Sequence, residues 1–119
     1  MLLMRRIIEV RELSLPEVKA ILEKLSKEKE LNYIQKLTLD YASKFSKLPH
    51  DLAVKLKEEL VKQHGLSTFA AIQIVNIMPG TIEELRTILA KEGRVFTTDE
   101  LQEILNTLKK YYQIEETSQ

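Results

Sequence analysis

The sequence predicts an all-α fold, an extended N-terminal strand followed by about six helices. Three observations carry this prediction. Ser14-x-x-Glu17, Thr81-x-x-Glu84 and Thr97-x-x-Glu100 each have the form of a capping box, in which a hydroxyl and a carboxylate satisfy the open amides of a first helical turn. Apolar residues recur at i, i+3, i+4 and i+7 through most of the chain. The three Gly and three Pro fall at or near the ends of these periodic segments.

The strand is the first element. Arg5-Arg-Ile-Ile-Glu-Val-Arg-Glu-Leu13 is rich in β-branched residues, with Ile8 and Val10 two apart. Everything after it is helical, so its backbone has no partner in its own chain. An unpaired strand is a template for pairing, and the expected resolution is addition to a sheet in another protein, with Ile7, Ile8 and Val10 as contact residues. An extension of the first helix, or an unordered arm, is the alternative.

The helices follow in order. From about Leu15 to Glu28, Val18, Ile21, Leu22 and Leu25 form one stripe. From about Leu31 to Lys47, Ile34, Leu37, Tyr41, Phe45 and Leu48 form another, expected to face the core. Pro49 opens a third helix carrying Leu52, Leu56 and Leu60, which ends at Gly65 as a left-handed cap. Ser67 opens a fourth that is apolar nearly all round from Phe69 to Met78, the pattern of a buried central helix, and Pro79-Gly80 stops it. The fifth carries Ile82, Leu85, Ile88 and Leu89 and closes at Gly93. The last carries Leu101, Ile104, Leu105, Leu108, Tyr111 and Tyr112, with a polar tail expected to fray. Leu13 before Val18 and Phe96 before Leu101 add hydrophobic staples to two of the caps. The organisation expected is residues 1–48 for partner binding, 49–114 as a helical bundle and 115–119 as a frayed tail.

Composition narrows the function. Lys plus Arg and Asp plus Glu both total 18, whereas a free-standing nucleic-acid binder carries a basic excess. The absence of Cys excludes disulfides, thiol catalysis and cysteine zinc sites. His50 and His64 stand in no metal-ligand spacing, and no Gly-rich phosphate loop exists. Paired carboxylates such as Glu58-Glu59 point to different helix faces. No catalytic residue, metal or cofactor is therefore expected. Met1 to Met4 give way at once to Arg5 and Arg6, too short for a signal peptide, and no stretch has membrane-spanning length, so a cytoplasmic protein is expected.

Several residues remain as candidates. Gln73 and Asn76 are the polar pair of the central helix; a narrow solvent window is the preferred reading and a buried hydrogen-bonding pair the alternative. Lys109, Lys110, Tyr111 and Tyr112 mix cations with rings and are candidates for RNA contact, although Lys suits any last helical turn and the tyrosines continue the apolar stripe. Gly65-Leu-Ser-Thr-Phe-Ala is a weak match to a helix-hairpin-helix turn, with Ser67 where a second Gly is wanted. Leu39 lies off the stripe of its helix, and Val54 and Val61 make a second line on theirs. Together with the orphan strand they mark a partner surface, with Leu39 its helical contact.

Asp40-Tyr-Ala-Ser-Lys-Phe-Ser-Lys-Leu48, Leu56-Lys-Glu-Glu-Leu60, Ile74-Val-Asn-Ile-Met-Pro79 and Glu84-Leu-Arg-Thr-Ile-Leu89 resemble, in content and order, the F subunit of archaeal RNA polymerase, the counterpart of the fourth-largest subunit of eukaryotic RNA polymerase II. The resemblance runs from the N-terminal strand to Tyr112. It implies an HRDC-like bundle in the C-terminal part, a fold also found in some helicases. It implies an obligate partner, the E subunit, whose S1-type barrel is the main RNA binder, the two forming a stalk near the RNA exit that serves initiation, elongation and termination. The catalytic aspartates and magnesium of that enzyme lie in its largest subunit, so none carry over. A stand-alone HRDC-like nucleic-acid-binding module is the alternative function.

Overall fold

Most helices begin where a side chain satisfies an open amide: Asn32, Ser67, Thr81 and Thr97 each accept from a first-turn N–H. The structure, a computed structural model, describes residues 13–118, with side chains through 114; the expected strand, with Ile7, Ile8 and Val10, lies outside the described residues. Helix α1 spans Leu15–Glu28, with Pro16 in its first turn. Ser14 caps it, its backbone N–H and its hydroxyl both donating to the Glu17 carboxylate at 3.2 and 2.9 Å. Helix α2 is Tyr33–Phe45, two residues shorter at each end than the periodicity implied. Its start is set by an amide version of the capping box: Asn32 Oδ1 accepts from the Gln35 N–H at 2.8 Å and Gln35 Oε1 accepts from the Asn32 N–H at 3.0 Å.

Helix α3, His50–Lys62, begins after Pro49 with Asp51 in its first turn, and the chain turns out of it at Gly65 with φ +67°. Helix α4, Thr68–Ile77, is capped by Ser67 Oγ accepting from the Ala70 N–H at 3.1 Å. It ends on Met78 in the left-handed region, φ +49°, where the following Pro79 disfavours continued right-handed helix. Helix α5, Ile82–Ile88, runs into a 3-10 turn at Leu89–Lys91, and Gly93 then adopts φ +76°. Helix α6 spans Thr98–Ser118. Its backbone stays helical past Ile114, where the tail was expected to fray.

One contiguous core runs from Leu48 to Tyr111. Leu56 and Leu60 of α3, Ile74 and Val75 of α4, Leu85 of α5 and Leu101, Ile104 and Leu108 of α6 are shut off from solvent there. Helix α4 supplies its centre, as its composition predicted, although Phe69 and Ile77 at its two ends are exposed. Val61 packs against this core and Val54 is half-buried, so the second apolar line of α3 is largely spent on the fold.

Helices α1 and α2 form a hairpin against one side of the bundle. They pack on each other, and α1 lies along α3. The buried apolar residues of the hairpin, Leu22, Leu31 and Ala42, lie outside the main core. A buried ion pair joins the two parts: Lys57 Nζ of α3 donates to both Glu17 oxygens at 2.7 and 2.9 Å. Burial opposes ionisation of Glu17, but the Lys57 ammonium and the two Ser14 donors outweigh it and hold the carboxyl below its usual range. A carboxyl depressed in the folded state adds stability that is complete above its unfolded pKa, about 4.3, and is lost as pH falls through the lower folded value. Below about pH 4.3 the melting temperature of the native chain should therefore fall more steeply than that of Glu17→Gln. At neutral pH that variant should be less stable by about 2 kcal/mol, short of the 3–5 typical of a fully buried pair because Lys57 keeps some access to water. Thermal melts of both proteins across the range check this, and parallel pH profiles would refute the assignment.

Candidate partner-docking surface

The apolar stripe of α2 does not face the core. Ile34, Leu37, Tyr41 and Phe45 are between 49 and 67% exposed, and the residue buried on this helix is Ala42. Helix α2 is the outer member of a two-helix hairpin, so its packing on α1 covers only the narrow side that carries Ala42. Leu39 shares that side and is half-buried. The stripe expected to face the core is thus the exposed side of α2, and the half-buried Leu39 lies off it.

The exposed face is continuous and partly ordered. Tyr41 and Phe45 meet with ring centroids 4.7 Å apart and planes tilted by 39°. Tyr33 extends the face at the start of α2, and Ile21 adds to it from α1. Between the two helices lies a cleft of about 230 Å³ lined by Leu13, Val18, Ile21, Leu22 and Ile34. Leu13 is the first described residue, so the segment holding Ile7, Ile8 and Val10 joins the chain at the rim of this cleft. Asp40 and Lys44, paired at 3.0 Å, flank the stripe. A row of large apolar side chains with a charged edge and an apolar cleft is the makeup of a surface covered by another protein.

The nucleic-acid candidates are dispersed by the fold. Lys109 and Lys110 are exposed, and Lys110 lies 3.9 Å from Glu59. Tyr111 is buried in the core and offers no face for a base to stack on. Burial, and then the adjacent Glu59 carboxylate, raise the pKa of its phenol. Tyr112 is half-buried, its hydroxyl directed at the Met78 carbonyl at 3.4 Å. At the start of α4, where a helix-hairpin-helix turn would receive phosphate, Glu92 already accepts from the Ser67 N–H and hydroxyl at 2.9 Å each. A carboxylate there repels phosphate.

His64 cross-links α6 to the end of α3. Its Nε2 is hydrogen-bonded to Thr107 Oγ1 at 3.0 Å, and the same hydroxyl lies 3.2 Å from the Glu103 carbonyl. Among the described residues no group of three or more His, Asp or Glu could hold a metal ion, and no helix is long and apolar enough to cross a membrane.

Of the two polar residues of α4, Asn76 departs from the solvent-window expectation. Asn76 is half-buried, and its Oδ1 accepts from the backbone N–H of Leu15 at 2.8 Å. It ties the start of the hairpin to the centre of the bundle. Nothing near Asn76 in sequence signals this bond, because its donor lies sixty-one residues away.

A helical bundle bearing a two-helix module with an uncovered apolar face defines a class, that of the small accessory subunit completed by another chain. The model of the RNA polymerase Rpb4 family matches residues 12–112. DNA-directed RNA polymerase subunit Rpo4 of the archaeon Methanocaldococcus jannaschii is 33% identical over 107 residues, which cover 90% of each chain. The chain belongs to the RNA polymerase Rpb4 family, a family of polymerase subunits that are not themselves catalytic. This agrees with the resemblance read from the four sequence stretches. Tyr41 and Phe45 of the first of them form the exposed aromatic pair, and Asn76 of the third makes the bond to α1.

Proposed function

We propose that this chain is the non-catalytic stalk subunit of an archaeal DNA-directed RNA polymerase, pairing with the E subunit through its N-terminal arm and the α1–α2 hairpin. The observation that carries the reading is the exposed stripe Ile34, Leu37, Tyr41 and Phe45, adjoining the point where residues 1–12 enter the fold. Large apolar side chains in a continuous row are costly in water, and their burial against a partner stabilises a complex by roughly 25 cal/mol per Å² covered. Residues near Ile7, Ile8 and Val10 add to a sheet of that partner.

In initiation, elongation and nascent-RNA binding the chain acts chiefly by stabilising and orienting its partner. The balanced charge supports this, since few counterions are released when a neutral protein meets RNA. Lys109 and Lys110 supply at most a minor direct contact. Deleting residues 1–12 should weaken association with the E subunit by at least about tenfold while leaving helicity nearly unchanged. In the intact complex, replacing both lysines with Ala should change RNA affinity by less than about tenfold at one fixed salt concentration. Undiminished association after the deletion would sink the arm's role. RNA binding by the isolated chain as tight as by the complex would overturn the orienting role.

A further inference from the structure

Asn76 and the Glu17–Lys57 pair hold the hairpin at two points. Asn76 belongs to α4 and reaches the first residue of α1; Lys57 belongs to α3 and reaches Glu17 one residue beyond Pro16. The Leu15 amide is one of the open donors of the first turn, and Asn76 Oδ1 accepts from it; Pro16 has no N–H to satisfy, and the Ser14 amide goes to Glu17. Ser14, fully buried between these contacts, donates twice to Glu17. Two anchors on different helices fix both the height and the direction of α1 on the bundle. Apolar contact alone is non-directional and would allow α1 to slide or rotate, whereas hydrogen bonds demand distance and angle. The same clamp grips the residues at which the N-terminal arm begins.

We infer that Asn76, acting with Glu17 and Lys57, is a positioning residue that sets the orientation in which the hairpin and the root of the arm are presented to a partner protein. This rests on the docking reading proposed above. It assigns to a residue within the bundle, on a helix that is not part of the hairpin, control over how tightly the partner is held.

A double-mutant cycle in the full-length chain, with the purified E subunit as binding probe, tests it. Asn76→Ala removes the acceptor. Leu15→Pro removes the donor at a first-turn position that proline favours, behind a Ser14 whose extended backbone suits a following proline. Each single change is expected to lower partner affinity by about fivefold, and the double variant no further than the weaker single, because both delete one bond. Asn76→Asp, which keeps an oxygen acceptor facing the helix start, should recover affinity. Hydrogen exchange of the first turn of α1 in the free chain should accelerate in Asn76→Ala and recover in Asn76→Asp. Multiplying losses in the double variant, or wild-type affinity in Asn76→Ala, would overturn the positioning role. Should Asn76→Ala fail to fold, wild-type affinity in Leu15→Pro would overturn it equally. The docking reading fails separately, if substitutions in the exposed stripe leave affinity unchanged.

Discussion

Leu37→Glu combined with Tyr41→Lys is expected to lower affinity for the E subunit by at least about a hundredfold while leaving the free chain as stable as before, within about 0.5 kcal/mol. Both side chains are at least half exposed, so no core contact is lost in the free chain. Glu and Lys are better helix formers than Tyr, and Glu placed four residues before Lys adds a few tenths of a kcal/mol to an exposed helix. On docking the balance reverses. Two apolar anchors at the centre of the stripe are gone, and two charges must lose water without partners designed for them, a cost of several kcal/mol. Titration against the partner and thermal melts of the free chain separate the two effects. Affinity within threefold of wild type would show that another face makes the contact.

The second large effect concerns stability alone. Ile74 is fully buried at the centre of α4, where the core elements from α3 to α6 converge. Ile74→Ala should destabilise the chain by about 2–5 kcal/mol, the removed methylenes and the residual cavity both contributing. For a domain of this size that corresponds to a fall in melting temperature of roughly 10 °C or more. Denaturant titration of the free chain measures it, and a loss below about 1 kcal/mol would contradict the central position of α4. The contrast with the stripe is the point of the pair. Ile74 and Leu37 are equally apolar to a reader of the sequence, yet one substitution should act on folding and the other on association.

The start of five helices could be read locally. Ser14, Pro49, Ser67, Thr81 and Thr97 each stand where the observed helix begins, because a cap, or at Pro49 a fixed backbone angle, acts within four residues of itself and depends on nothing farther away. The start of α2 was less sharp because Asn32 and Gln35 form the box with amides in place of a hydroxyl and a carboxylate. Gly65 was legible for the same local reason, a left-handed turn that glycine adopts without strain.

By itself, then, the sequence determined the all-helical class, the starts of five helices, the apolar centre supplied by α4 and membership of the polymerase subunit family. Tertiary structure alone decided which apolar stripe is covered. Periodicity states that a face exists; it does not state what covers it, and among the described elements α2 packs chiefly on α1. Tertiary structure also buried Tyr111 while leaving Lys109 and Lys110 at the surface, turned Asn76 from a solvent window into a tie to Leu15, and set His64 against Thr107. Each of these depends on a partner more than thirty residues away or on the packing of several helices, and local spacing carries no record of such distances.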